Sequence, residues 1–574
     1  MGTMRLTRRA ALRAAAGTAA GALTAGSAPW LTLAAQAAVR RPDSLPDPRR
    51  PAGTPTAALP FDHIVVVMQE NHSFDNYFGM LPRRGQPRAD GFRFDTAGRP
   101  TNSNPLRGGI ARVQHAPSAC QPYGVTQAWT PTHQEVDGGR MDGFARVDEG
   151  QMLYFDQAEI PFYYSLANAF TVCDRWFSSA PCQTYPNRRF LLAGTAFGLI
   201  STDNSSVTQA APNGTIVDRL NAHGITWKDY FVNVPATAVI LPIVERNPQN
   251  MAPIADFFAD CTSGNLPAVS FVDSEIGVLN VLGSELAGQV PIANGVGNYT
   301  AAQDQDEENP ADIEIGESFV HSVVEAVISS PAWPRTLLVW TYDEHGGYYD
   351  HVPPPRAIAP DAIKPNLGPH DAPGGYDVYG PRVPAVVVSA HSIPHGVSSV
   401  VHDHTSVAAT IEAKWNLPAM TYRDANAATL ADCLQATPRL LEAPVLSAPG
   451  DLTASESHCV TGEPTLPIEP APRQPPARLV LRVDGLIPGH HRPRGLAIEL
   501  RTTRGTLAGV EVELLHGHRR LARLTAHRVG TRFHRFVLHP GVRLPRGRYT
   551  LRVTRGGRTL LRRTVPLGGS SGRQ

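Results

Sequence analysis

Three short runs of consecutive apolar residues limit what this chain can fold into: Ile64-Val65-Val66-Val67-Met68, Leu337-Leu338-Val339-Trp340 and Val386-Val387-Val388. None alternates apolar with polar residues, so each reads as a strand buried on both faces. That is the environment of interior strands in a parallel sheet covered by helices. Helical patterns from Ala408 to Trp415 and from Phe319 to Ser329 supply such cover. The fold class is therefore α/β.

A second architecture follows further along. Residues 463–477 read EPTLPIEPAPRQPPA, a Pro-rich segment expected to be an extended linker. Beyond it, Arg478-Leu-Val-Leu-Arg-Val, Gly509-Val-Glu-Val-Glu-Leu-Leu and Tyr549-Thr-Leu-Arg-Val alternate in character between Gly/Pro turns. This predicts a small antiparallel β-sandwich over residues 478–566, separate from a catalytic domain over 38–462. The sandwich is rich in arginine: Arg478 to Arg563 holds twenty Arg, no Lys and four acids, a formal +16 in a chain whose total is +1. The remainder is therefore acidic, and the near-neutral total argues against a whole-chain nucleic-acid binder. The basic module reads either as a dock for anionic membrane or envelope polymers or as a solvated surface.

The N-terminus places Arg8-Arg9 before an Ala/Gly-rich run, with Ala35-Gln36-Ala37 as a cleavage site. The pattern predicts a twin-arginine signal peptide over residues 1–37 and a protein secreted or held at the envelope. No run of 18 or more apolar residues follows, which excludes an anchor of membrane-spanning helices. Six cysteines permit disulfides, with Cys433–Cys459 a plausible local bridge, and their spacings do not suggest zinc ligation. No repeat or heptad points to assembly, so the expectation is a monomer.

The chemistry sits where the strands end. The first run leads into Gln69-Glu70-Asn71-His72 and the second into Tyr342-Asp343-Glu344-His345. Ligands of open α/β sheets bind beyond the carboxyl ends of strands. Glu70, Asn71, Asp343 and Glu344 should therefore meet at one edge. Three carboxylates and an amide oxygen there call for one divalent cation, a hard one given oxygen-only donors.

A third segment, Cys182-Gln183-Thr184-Tyr185-Pro186-Asn187-Arg188, predicts a helix with Pro186 in its first turn and Thr184 just ahead of it. Thr184 could simply cap that helix. Beside a metal, at a helix N-terminus that favours phosphate, its hydroxyl could instead serve as nucleophile.

Five segments carry a family resemblance. FDHIVVVMQENHSFDNYFG (61–79), CDRWFSSAPCQTYPNRRFLLAGT (173–195), PAWPRTLLVWTYDEHGGYYDHVPPP (331–355), YGPRVPAVVVSA (379–390) and HDHTSVAATIEAKW (402–415) occur in order. Together they resemble the motifs of the bacterial phosphoesterase family. That family holds non-haemolytic, phosphatidylcholine-type phospholipases C and respiratory-burst-inhibiting acid phosphatases. The resemblance spans roughly residues 60 to 440. It implies an alkaline-phosphatase-like core and a metal held by Glu70, Asn71, Thr184, Asp343 and Glu344, with Thr184 as nucleophile. One departure is Asn309, where the family commonly has histidine. His133 and His404 are the candidates for its acid/base task, and each could equally be a packed residue. His345, His351 and Arg188 read as braces of the motif loops.

The resulting expectation is a phospholipase C that cleaves phosphatidylcholine through a phospho-threonine intermediate. Tyr348, Tyr349, Tyr185, Trp129 and Tyr123 are candidates for a choline cage. An acid phosphatase acting on monoesters is the alternative within the same chemistry. An envelope-binding protein with a vestigial core is the alternative outside it.

Overall fold

The computed structural model describes residues 39–120, 125–275, 305–308, 311–450, 478–487, 495–503, 506–542, 544–545 and 547–567. The expected signal peptide and Pro-rich linker, with Tyr123, Asn309 and Cys459, lie outside them. The chain divides into two compact units, Met1–Ala471 and Pro472–Gln574.

The first unit is built on an eight-stranded sheet: β1 His63–Gln69, β2 Thr171–Cys173, β3 Trp227–Phe231, β4 Met251–Pro253, β5 Val269–Asp273, β6 Thr336–Tyr342, β7 Ala385–Ser389 and β8 Gly396–Ser398. Their order across the sheet is β8-β2-β7-β6-β1-β5-β3-β4. β1 and β6 occupy the middle, and every residue of β6 is buried. The helices that flank this sheet include α1 Phe74–Phe78, α2 Trp129–Val136, α3 Thr184–Ala193, α4 Ile313–Ile328 and α5 His404–Trp415. The sheet is mixed rather than parallel throughout. β7, which carries Val386–Val388, pairs antiparallel with both β6 and β2. An apolar run specifies burial on both faces but leaves strand direction free, so this reversal had no sequence signal.

All ten residues of α3 are buried, which suits a helix packed between the sheet and α5. Pro186 is accommodated in its first turn, and Gly194 ends it at φ +70. Thr184 is the first helical residue rather than the one ahead of it. Gln183 holds the cap position and makes no side-chain cap bond.

Cys433 is a free thiol, as are Cys173, Cys182 and Cys261, whereas Cys120 is disulfide-bonded. The expected Cys433–Cys459 bridge is therefore absent. Instead Cys433 Sγ lies 3.7 Å from Cys173 Sγ. Nearness in sequence was a poor guide to pairing, because Cys433 points back under the sheet edge toward β2.

The second unit contains two antiparallel sheets. β9 Leu479–Ile487, β10 Gly495–Thr502 and β13 His534–Leu538 form one; β11 Leu507–His516, β12 Arg519–Val529, β14 Gly547–Arg555 and β15 Arg558–Leu567 form the other. Both contribute to one apolar cluster that includes Leu481, Ile498, Val512, Leu514 and Leu551. Glu513 accepts from Arg520 and Arg552, but Arg519, Arg528, Arg558 and Arg562 on the two edge strands of the larger sheet are exposed. Charged edges of this kind also discourage sheet-to-sheet association. Among the described residues, no helix is long and apolar enough to cross a membrane.

Candidate active site

β1 and β6 run side by side and parallel, with Gln69 opposite Tyr342. Glu70-Asn71 and Asp343-Glu344 are the next residues of each strand, so the sheet delivers them together at its carboxyl edge. Asn71 turns the chain at φ +72, a conformation that Asn tolerates better than most residues. Its N–H donates to Asp343 Oδ1 at 3.2 Å, and the Asp343 N–H donates to Gln69 O at 3.0 Å. Gly346, at φ +63, lets this loop close: a Cβ there would lie 1.9 Å from Asn71 O.

Arg188 of α3 reaches into this edge. Its Nη2 donates to Glu70 Oε1 and to Met68 O, each at 3.1 Å, while its Nε stands 4.0 Å from Asp343 Oδ2. One guanidinium does not balance the carboxylates around it. Burial, then the charges of Glu70 and Glu344, hold Asp343 well above the usual carboxylate range. Burial likewise lifts Glu344 to about 7, and burial with Glu70, Asp306 and Glu344 lifts Glu308 to about 9.

The donor set suits a hard cation. Glu70, Asp306 and Glu308 each bring a carboxylate oxygen within 4.8 Å of the others. Asp343 Oδ2 and Glu344 Oε1 are buried without hydrogen bonds. Buried carboxylate oxygens left unpaired are costly, and a divalent ion with oxygen ligands fits such a donor set. Asp306 and Glu308 escaped the sequence reading, although the acid-rich run Asp304-Gln305-Asp306-Glu307-Glu308 was a usable signal. The neighbouring Glu307 is an anchor for that loop: the hydroxyls of Tyr77, Tyr163 and Tyr342 all donate to its buried carboxylate.

Thr184 lines a cavity of about 260 Å³ together with the polar Glu70, Gln127, Arg188 and Glu308 and the apolar Val207, Val234, Val239 and their neighbours. Its hydroxyl makes no hydrogen bond to any described residue, so it is not engaged in capping. The loop presenting it is tied by Asn187, which accepts from the Ala180 N–H at 3.0 Å and donates to Cys182 O at 2.7 Å. Cys182 itself is buried, and burial pushes its thiol far up, so it offers no competing nucleophile.

The histidines are placed differently from the expectation. His404 Nε2 donates to Asp343 O at 2.6 Å, and its Nδ1 accepts from Trp176 Nε1 at 3.4 Å. Both ring nitrogens are engaged, and burial lowers it to about 4, so it stays neutral. It holds the Asp343 backbone and does not line the cavity. His133 bonds through Nδ1 to Trp129 O one turn back and faces another pocket, lined by Pro354, Gly374 and Tyr379. No residue of α2 lines the cavity, so His133 takes the packed role that the sequence had also allowed. His345 lies between carboxylates, with Nε2 2.9 Å from Glu135 and Nδ1 3.4 Å from Glu344. Burial opposes its charge, but the two acids prevail and raise it to about 9.

The expected choline cage does not assemble either. Tyr348 stacks on His72 at 5.2 Å, Tyr349 packs edge-on against Phe144, and Trp129 donates to Ala372 O. Tyr185 alone of the described candidates lines the cavity. Buried aromatic rings in these loops serve packing.

The model of the phosphoesterase family matches residues 61–418. The chain belongs to the phosphoesterase family. It is 31% identical over 415 residues to non-specific phospholipase C6 of Arabidopsis thaliana, covering 66% of this chain and 74% of that protein. It is 29% identical over 402 residues to the non-hemolytic phospholipase C of Burkholderia pseudomallei, covering 62% of this chain and 55% of that protein. Phospholipase C A of Mycobacterium tuberculosis is 29% identical over 424 residues, with 62% and 73% covered. Among solved structures, lipoteichoic acid synthase LtaP of Listeria monocytogenes matches 70% of this chain and 81% of its own at 9% identity and a TM-score of 0.31. That score is too low to bear on function. As a phosphoesterase the protein is a hydrolase of phosphoester bonds, and this sets aside the envelope-binding protein with a vestigial core.

Proposed function

We propose that this phosphoesterase is a metal-dependent phospholipase C that hydrolyses phosphatidylcholine to diacylglycerol and phosphocholine. The observation that carries the reading is the cavity at Thr184. An unbonded hydroxyl stands in a cavity lined by carboxylates, a guanidinium and apolar Val and Ala side chains, a lining that suits a phosphate together with an amphiphile's apolar part.

Glu70, Asn71, Asp343, Glu344 and Thr184 would hold the cation, with Asp306 and Glu308 close by. When bound, it would supply Lewis-acid polarisation of a phosphate oxygen and a lowered pKa for a coordinated hydroxyl. The chain's own residues do the rest. The free N–H groups at the start of α3 orient the phosphate. Thr184 Oγ1 attacks phosphorus in line; the Oγ1–P bond forms, the bond to the glycerol oxygen breaks, and the proton ends on the departing diacylglycerol. Water then cleaves the phospho-threonine and releases phosphocholine. Arg188 holds Glu70 in place, and His404 fixes the Asp343 backbone.

Product analysis tests this directly. The mature chain would be assayed with phosphatidylcholine, p-nitrophenylphosphorylcholine and p-nitrophenyl phosphate, with added divalent metal and with chelator. Metal-dependent release of phosphocholine from the first two is the expected result. Turnover of the monoester alone would instead make it a phosphatase.

Export by the twin-arginine route and a monomeric state are parts of the same proposal, supported by the N-terminal sequence and by the lack of repeats. The Arg-rich unit would dock the enzyme on anionic membrane, supported by its exposed edge arginines. If deletion after Ala477 leaves binding to anionic vesicles intact at low salt, docking lies elsewhere.

A further inference from the structure

Beyond the active-site carboxylates, three groups of metal-capable side chains stand out among the described residues. Two of them already have a cation. Asp75, Asp350 and His351 surround the buried Arg382, whose guanidinium bonds both acids at 3.0 Å. His115, Asp156 and Glu159 have Arg84 at 2.7 Å from Asp156. The third group is Cys173, His402 and Cys433, all buried and with no lysine or arginine bonded to any of them.

We propose that Cys173, Cys433 and His402 form a structural site for a thiophilic divalent cation of the zinc class. One ligand atom from each lies within 4.8 Å of the other two. The two Sγ atoms are 3.7 Å apart. A tetrahedral zinc ion with Zn–S bonds of about 2.3 Å sets its sulfur ligands about 3.8 Å apart, whereas a disulfide needs about 2.05 Å. His402 Nε2 is buried and its partner in the structure is Asp432 Oδ1 at 3.1 Å, so a cation bound there would take the place of the proton they share. Its other nitrogen, Nδ1, is held by Ser406 Oγ at 3.3 Å, the outer-shell support that orients a ligating imidazole. Asp432 stands beside two of the three ligands, with Oδ2 3.8 Å from Cys433 Sγ, and is placed for the fourth position. Its partial exposure, 28%, gives the cation a way in.

Such an ion would join the end of β2, the segment before α5 and the turn Leu430–Cys433. His404, two residues beyond His402, is the residue that holds the Asp343 backbone. The site therefore stabilises the entry to α5 and acts on the active site only through that position.

The test is cobalt substitution of the full chain. The active-site donors are oxygens, so a thiolate-to-cobalt charge-transfer band reports this site alone. The band should appear in the wild type, persist in Cys182→Ser and Asp343→Asn, and vanish in Cys433→Ser. As a check that needs no variant, Cys173 and Cys433 of the metal-loaded native protein should resist alkylation until chelator is added, read by peptide mass spectrometry. No charge-transfer band in the wild type, a band that survives Cys433→Ser, or a Cys173–Cys433 disulfide in the unreduced protein would each overturn the proposal.

Discussion

The backbone N–H of Asn71 donates to Asp343 Oδ1, joining residues 272 positions apart at the ends of two paired strands. The same bond fixes both halves of the candidate metal site relative to each other. A displacement of either strand end would separate Glu70 from Asp343 and misplace Arg188, which spans them.

Gly346 makes that bond possible, so Gly346→Ala should damage the site more than the fold. Its Cβ would collide with Asn71 O at a φ that L-residues avoid. The expected outcome is a loss of metal affinity of tenfold or more, on the order of 1–2 kcal/mol, by isothermal titration. Unchanged affinity would mean the loop relaxes without moving Asn71.

Thr184→Ala should reduce kcat by more than about 10³-fold while the melting temperature stays near that of the wild type, because the hydroxyl bonds nothing in the fold. Thr184→Ser should keep measurable turnover. A Thr184→Ala enzyme with a substantial share of wild-type activity is incompatible with the nucleophile assignment.

Arg188→Met leaves Glu70 and Asp343 buried without their guanidinium. In chelator the variant should be about 3–5 kcal/mol less stable. Added divalent cation should restore more stability to the variant than it adds to the wild type. All seven tryptophans lie before residue 416, so fluorescence-monitored urea unfolding reports the catalytic unit. Equal stabilities in chelator would show that the pair contributes nothing net.

His351 predicts an alkaline loss of stability. Its Nδ1 is 2.7 Å from Asp75 and its Nε2 3.2 Å from Asp90, with Arg382 and Asp350 packed nearby. Burial opposes protonation, but the two acids raise it to about 10 from an ordinary value near 6.5. A raised folded value means the stabilisation is complete below about pH 6.5 and disappears as pH climbs through about 10. Unfolding free energy should therefore fall between pH 7 and 10 in the wild type. The fall should be smaller in His351→Asn, and parallel profiles would refute the assignment.

Much of the fold was legible because it depends on local composition. Ile64–Met68 and Leu337–Trp340 announced buried central strands, and the alternating segments after Arg478 announced a separate antiparallel unit. What followed each buried strand was readable too, since parallel neighbours deliver their next residues to one edge. Position at a strand end was enough to bring Glu70, Asn71, Asp343 and Glu344 together.

Other features depended on contacts that no local pattern encodes. Strand direction at Val386–Val388 is set by its partners, so the antiparallel β7 was invisible. The placement of His133 and His404 turns on which helix face meets which neighbour. Asp306 and Glu308 stand beside Glu70 because three tyrosine hydroxyls, from Tyr77, Tyr163 and Tyr342, anchor Glu307 between them.

The cysteines mark the boundary most clearly. Positions 173, 402 and 433 have no ligand spacing, and by sequence Cys433 belonged with Cys459. The sequence by itself determined the α/β class, the apolar strands and the residue types available for phosphoester chemistry, because burial and period are local properties. Only the tertiary structure decided which thiols, acids and histidines meet, because that requires segments hundreds of residues apart to pack in one geometry.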